Sequence, residues 1–164
     1  MATTPKPGFL TRVQVIALNA ILCIWAVQAM ATDGLITMRS SFGPQDTVRK
    51  LEAAVKAKGM TIFAHIDHAA GAAEAGLALR PTELLIFGTA TGGTSLMQTD
   101  QTMGIDLPLK ALVWQDAAGN TWLSYNDPSW LAQRHGLGAG AGTTVRALAA
   151  ALNALAKAAT TPSQ

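Results

Sequence analysis

The chain has 164 residues, of which 49% are hydrophobic and 13% charged, and its formal net charge is +2. This balance excludes an intrinsically disordered chain, and the length suits one domain rather than two large ones. Twelve basic against ten acidic residues argue against a general nucleic-acid binder, and a single cysteine excludes a disulfide scaffold or a zinc ribbon within one chain.

The first 31 residues have the layout of a secretory signal peptide. Lys6 and Arg12 precede an apolar run over residues 13–31, which ends in the small-x-small pattern Ala29-Met30-Ala31. The run is nearly long enough to span a bilayer, so an uncleaved membrane anchor is the alternative. We favour cleavage because three polar residues shorten the strongly apolar part. The prediction is a periplasmic or secreted domain that begins near residue 32, has no net formal charge and contains no cysteine.

The first half of this domain alternates strands and helices. Pro44 at a first helical position and Gly59 at the end delimit an amphipathic helix between two strands. An alanine-rich helix and a buried strand come next, and then a glycine loop and a helix capped by Thr94. The predicted ranges are strands 35–42, 60–67 and 82–89, helices 44–58, 68–79 and 94–103, and the loop 90–93.

The second half begins with a hairpin of strands 107–115 and 120–126, which places Trp114 and Trp122 near the turn. Asp127-Pro128 then opens a helix that runs to His135, and a final alanine-rich helix covers residues 143–159. Residues 160–164 are predicted to be disordered. A hairpin combined with segregated helices predicts a single α+β domain over residues 32–159.

Three places in the sequence carry side chains or backbone suited to a site. His65, Asp67 and His68 form the densest ligand-type cluster, although an Asp that caps the next helix explains it more simply. The glycine-rich stretch 88–94 offers backbone N–H groups to an anion, with a plain capped turn as the favoured alternative. Asp106 and Lys110 either form a weak surface pair or edge an apolar pocket with aromatic walls from Phe87 and Tyr125.

Several segments together resemble the family catalogued as domain of unknown function 302. They are Ile66-Asp67-His68, RPTELLIFG at residues 80–88, GTSLM at 93–97, IDLPLKALVW at 105–114, WLSYNDPSWL at 122–131 and Arg134-His135. After Phe87-Gly88 the family commonly has Asn-Pro, where this chain has Thr89-Ala90.

The resemblance implies a TATA-binding-protein-like β-α-β4-α fold, an antiparallel sheet with helices packed on one face, often paired as a homodimer. It implies no reaction, and the fold alone does not imply DNA binding. The positions it marks for testing are Asp67, His68, Phe87, Gly88, Asp106, Lys110, Tyr125 and His135.

We therefore expect an exported domain that binds a small-molecule or anionic ligand, or a partner, without nucleic acid, cofactor or catalytic set. Contact with a membrane is expected only through an uncleaved N-terminus. The alternative is a metal protein or enzyme that uses Asp67, His68 and His135, with His65 as an auxiliary group. A third possibility is a purely structural domain that supports another envelope protein through its final helix.

Overall fold

The computed structural model of the protein describes residues 30–32 and 34–162. Nearly all of the predicted signal segment lies outside this range, as do residues 163–164 of the predicted tail, so these parts remain predictions. Thr160, predicted to begin the disordered tail, is instead the fully buried last residue of the final helix. The predicted cleavage position, after Ala31, falls within the first described strand. No helix in the described ranges is long and apolar enough to cross a bilayer.

One six-stranded antiparallel sheet organises the described residues, with the strand order β1-β2-β6-β5-β4-β3. Its strands are β1 (Met30–Thr32), β2 (Leu35–Arg39), β3 (Thr61–Asp67), β4 (Thr82–Gly88), β5 (Leu109–Gln115) and β6 (Thr121–Asn126). The predicted α+β class is confirmed. The short strand β1, at the edge beyond β2, was not predicted.

Five helices connect or follow the strands: α1 (Pro44–Ala57), α2 (His68–Glu74), α3 (Ala90–Met97), α4 (Pro128–Arg134) and α5 (Gly142–Thr160). Two 3₁₀ helices, Gln101–Ile105 and Ala139–Ala141, lie between them. The elements β2, α1, β3 to β6 and α5 form the expected β-α-β4-α arrangement, in which α1 and α5 contact both each other and the sheet.

The main core lies between the sheet and this helix pair. Leu51 and Val55 of α1, Leu155 of α5, and Leu85 and Phe87 of β4 are all at most 2% exposed. Strand side chains alternate between the two faces, so Leu85 and Phe87 share the face that the helices cover. Burial of these apolar side chains is the main stabilising contribution to the fold.

The hairpin of β5 and β6 closes as predicted. Trp114 and Trp122 lie directly opposite each other, with stacked rings whose centroids are 6.1 Å apart. At the turn, Asp116 accepts hydrogen bonds from the Asn120 amide and the Trp122 indole N–H, which lower the pKa of Asp116 to about 2. The turn therefore carries an ionised, hydrogen-bonded carboxylate at neutral pH.

The segment after β4 corrects the predicted boundaries. The helix begins at Ala90 rather than at Thr94, because the Thr89 hydroxyl caps it by accepting the Gly92 N–H at 3.1 Å. It ends at Met97, and Asp100 caps the separate 3₁₀ helix that follows. Gly92 and Gly93, which were expected in a loop, therefore lie inside the helix, because the cap is Thr89 and not Thr94.

Candidate functional site

Asp67 is the last residue of β3 and His68 the first residue of α2, so both belong to the start of that helix. The Asp67 carboxylate accepts the Ala70 N–H at 2.9 Å and so caps α2, and His68 is the exposed first residue of that helix. This arrangement is the one expected for a helix cap. His65 lies on the same strand, between the Glu83 carboxylate at 2.7 Å and that of Glu52 at 3.4 Å.

Asp106 and His135 lie near the opposite end of β4 from Asp67 and His68. Asp67 is paired with Glu83, and at the far end of β4, Phe87 is paired with Leu109, which closely follows Asp106. The four-residue step along β4 spans about 13 Å. The structure therefore does not bring Asp67 and His68 together with His135.

Phe87 and Tyr125 belong to the main core and not to a pocket wall. Phe87 is 0% and Tyr125 4% exposed, and both pack on the helix-covered face. Burial raises the pKa of the Tyr125 phenol, with a further contribution from the Asp127 carboxylate, so the phenol stays neutral at physiological pH. Their role in the described structure is packing.

A cavity of about 330 Å³ opens beside Gly88, which alone among the positions marked by the family resemblance lines it; most of the glycine-rich stretch 88–94 lines it as well. Its walls come from the end of β4, the first turns of α3, the segment that enters β5, and α5. The lining residues are Met60, Phe63, Gly88, Thr89, Ala90, Gly92, Gly93, Thr94, Met97, Leu107, Pro108, Leu109 and Leu148.

The glycines make room for this cavity. A Cβ added at Gly93 would lie 3.7 Å from Leu107 Cδ1 and 3.9 Å from Met97 Cε, so the missing side chain points between two cavity walls. A Cβ added at Gly88 would similarly lie 3.8 Å from Pro108 and 3.9 Å from Phe63. Larger residues at either position would occupy the cavity.

The chemistry of the cavity is apolar. Its lining residues include no charged side chain, and its side-chain polar groups are the hydroxyls of Thr89 and Thr94. The N–H groups of Gly92 and Gly93 donate to the hydroxyl and carbonyl oxygens of Thr89, and so are not free to bind an anion. The stretch is a threonine-capped helix start, which agrees in kind with the alternative favoured from sequence, although the cap is Thr89 and not Thr94.

A cluster of polar side chains around His135 lies outside the cavity lining. His135 Nε2 lies 2.7 Å from Asp106 Oδ2, and His135 Nδ1 lies 2.7 Å from the Thr102 hydroxyl. Arg134 contacts the other Asp106 oxygen at 3.3 Å. Lys110 does not pair with the Asp106 carboxylate as predicted; its ammonium group donates to the Asp106 carbonyl oxygen at 2.9 Å.

Sequence reasoning missed two members of this cluster. The Asp100 carboxylate accepts both the backbone N–H and the hydroxyl of Thr102, and these two hydrogen bonds lower the pKa of Asp100. The pattern Asp-x-Thr is a local capping signal that the sequence does contain. The contact between Thr102 and His135 joins residues 33 positions apart, and no local pattern signals it. Within residues 34–162, no three His, Cys, Asp or Glu side chains are placed to hold a metal ion.

The family model described as "Domain of unknown function DUF302" matches residues 36–155. The chain belongs to the DUF302 family. The solved structure of an uncharacterised DUF302 protein from Bacillus stearothermophilus superposes with a TM-score of 0.70 at 19% sequence identity. The match covers 78% of this chain and 99% of that one, and at this identity it supports the shared fold alone.

Curated relatives of this DUF302 chain occur in Brucella. A protein of Brucella suis named fluoride-specific ion channel FluC 1 is 49% identical over 115 residues, which are 70% of this chain and 45% of the relative. A relative of the same name in Brucella abortus is also 49% identical over 115 residues, 43% of its length. This chain spans less than half the length of these relatives. The name fluoride-specific ion channel applies to those proteins.

Proposed function

We propose that this DUF302 domain binds a small, neutral and largely apolar ligand in the cavity beside Gly88. The observation that carries the proposal is the cavity itself, with its apolar walls and two threonine hydroxyls. Its volume of about 330 Å³ lies at the lower end of the range of roughly 300–1,000 Å³ found for small-molecule sites. A few polar groups in a mostly apolar pocket orient a ligand while apolar contact supplies affinity.

Two features favour a neutral ligand over the anionic one considered from sequence. No charged side chain lines the cavity, so an anion would lose its hydration without gaining a counter-charge. The N–H groups of Gly92 and Gly93 already have acceptors in Thr89. A comparison of the affinities for a neutral and an anionic aromatic probe of similar size therefore tests the proposed ligand class.

The first experiment compares the wild-type protein with Gly93→Leu. The leucine side chain fills the space between Leu107 and Met97, and replacing a helical glycine favours the helix. The neutral dye N-phenyl-1-naphthylamine is expected to bind the wild type with enhanced fluorescence and to bind Gly93→Leu at least about tenfold more weakly, since its site is occupied. Fluorescence titration measures both affinities.

The matched control is Gly71→Leu, which makes the same change in the exposed helix α2, where an added Cβ meets nothing within 4 Å. This control should bind the dye as the wild type does. The anionic dye 8-anilinonaphthalene-1-sulfonate should bind the wild type less tightly than the neutral dye. Equal dye affinity in the wild type and Gly93→Leu would contradict the proposed site.

We also infer that two copies of the chain pair through β3. This strand forms an edge of the described sheet, and Phe63 and Ile66 on it are 54% and 39% exposed. Leu77 and Leu79, in the connection that follows α2, are further exposed apolar residues. An exposed apolar edge strand favours pairing with another strand, and a second β3 would continue the sheet.

Ile66→Lys is expected to convert the pair to single chains, because lysine on an edge strand opposes edge-to-edge pairing. Ile105→Lys is the matched control, since Ile105 is 72% exposed but lies in a 3₁₀ helix away from β3. Light scattering coupled to size-exclusion chromatography measures the mass. A wild-type protein that elutes as single chains at high concentration would refute the pairing.

A further inference from the structure

His135 connects two elements that are distant in sequence. His135 is the C-cap residue of α4, its imidazole is 6% exposed, and both ring nitrogens contact residues around the 3₁₀ helix Gln101–Ile105. Nδ1 meets Thr102 near the start of that helix, and Nε2 meets Asp106 just after its end, both at 2.7 Å. One buried ring therefore holds both ends of the 3₁₀ helix against α4.

The segment that His135 holds connects two parts of the cavity wall. Met97 immediately precedes residues 98–106, Leu107 and Pro108 follow them, and all three flanking residues line the cavity. Leu107 also packs against a smaller buried cluster, separate from the main core, that consists of Leu96, Met103, Leu131, Ala141 and Val145. Movement of the 3₁₀ helix away from α4 would displace this wall.

The hydrogen bonds around His135 are complete in both of its protonation states. Neutral His135 donates from Nε2 to Asp106 and accepts the Thr102 hydroxyl proton at Nδ1. Cationic His135 donates from Nδ1 to the Thr102 oxygen, and the Thr102 hydroxyl then turns to the Asp100 carboxylate 2.8 Å away. Of the two residues that contact the ring nitrogens, only Thr102 changes from donor to acceptor, because a hydroxyl can do both.

Charged groups of both signs lie around the ring. The Asp106 carboxylate contacts it directly and the Asp100 carboxylate through Thr102, while Arg134 contacts the Asp106 carboxylate and Lys110 donates to the Asp106 carbonyl. The backbone N–H of Thr102 donates to Asp100 whichever way the Thr102 hydroxyl turns, and the hydroxyl lowers the pKa of Asp100 when it turns to that carboxylate.

We propose that His135 is a latch that fixes residues 98–106 and thereby the cavity-lining residues on either side of them, and that Thr102 keeps this latch closed whether or not His135 is protonated. The latch is a structural property of the ligand-free protein. Its consequence for ligand exchange rests on the proposed function: while the latch is closed, ligand release is slow.

Hydrogen–deuterium exchange of the ligand-free full chain tests the latch at about pH 5 and about pH 8, on either side of the usual histidine pKa. Rates are corrected for intrinsic exchange. The wild type is expected to protect residues 98–108 equally at both values. His135→Ala is expected to raise exchange in this segment by about tenfold or more at both, because its two hydrogen bonds are lost, and His135→Gln should restore part of the protection.

Thr102→Val separates the latch from a merely structural contact. Valine removes the hydrogen bond that neutral His135 accepts at about pH 8, and at about pH 5 it also leaves the Nδ1–H of cationic His135 without an acceptor. Protection of residues 98–108 should therefore fall at both values, and further at about pH 5. Thr99→Val is the matched control, since the Thr99 hydroxyl contacts only the Ser95 carbonyl, at 3.4 Å, and should change protection at neither value.

Unchanged protection in His135→Ala, or the same protection at both pH values in Thr102→Val, would overturn the proposal. Dye dissociation supplies the second readout: N-phenyl-1-naphthylamine should leave His135→Ala about tenfold faster than the wild type, in line with its exchange rates. If the wild type binds no dye, the proposed function fails, whereas the exchange experiment still decides the latch.

Discussion

Phe87→Ala is expected to lower the free energy of unfolding by about 3–5 kcal/mol, the usual cost of truncating a fully buried phenylalanine. Phe87 is 0% exposed and lies at the centre of the main core, where Leu85, Leu109 and the helix pair surround it. The empty space left by the ring cannot be filled without moving either the sheet or a helix. Urea unfolding followed by circular dichroism measures the change.

Phe63→Ala is the matched control, because Phe63 is 54% exposed on the edge strand. Its cost should be about 1 kcal/mol or less. This pair of variants also tests where the aromatic groups belong. A small loss in Phe87→Ala would mean that Phe87 lines an accessible pocket, as the sequence suggested, rather than the core.

Gly34→Ala is expected to cost about 2–5 kcal/mol, from backbone strain together with steric overlap. The φ angle of Gly34 is +85°, and an added Cβ would overlap three ring atoms of Trp130. Gly34 also accepts the Asp127 N–H at 2.7 Å, so the start of β2 is tied to the start of α4 at this point. Displacement of the Trp130 ring would disturb that connection.

Gly119→Ala isolates the backbone contribution. Its φ of +81° is similar, but an added Cβ there meets nothing within 4 Å. This variant should cost about 1–2 kcal/mol, the strain of a left-handed alanine. Thermal unfolding of both variants measures the difference, and equal losses would show that Trp130 does not occupy the described position.

Much of the fold could be predicted because its local signals agree with its tertiary contacts. Pro44 and Gly59 delimit α1 in the sequence, and the apolar stripe of Val48, Leu51 and Val55 is the face that packs on the sheet. Asp127-Pro128 likewise opens α4 where the pattern predicts. The helix after β4 was misplaced because two candidate caps, Thr89 and Thr94, compete, and only the folded geometry shows which one binds an N–H.

The site was less predictable, because it depends on contacts that no short pattern carries. The side chains with the most suggestive chemistry, Asp67 and His68, begin a helix, whereas the cavity is lined by small and apolar residues with no chemical signature. The stretch 88–94 was singled out from its glycines, but for an anion, and Gly88 was also marked by the family resemblance. The link between His135 and Thr102 depends on how α4 packs against the 3₁₀ helix, which is a tertiary property.

The most direct test of the cavity as a ligand site uses the methionine methyl groups as reporters. Met60 and Met97 line the cavity, whereas Met38 is buried in the main core at 5% exposure and does not line it. In methyl NMR spectra of ¹³C-methionine-labelled protein, N-phenyl-1-naphthylamine is expected to shift the Met60 and Met97 signals and leave Met38 in place. Dye binding that leaves both Met60 and Met97 unshifted would contradict the account.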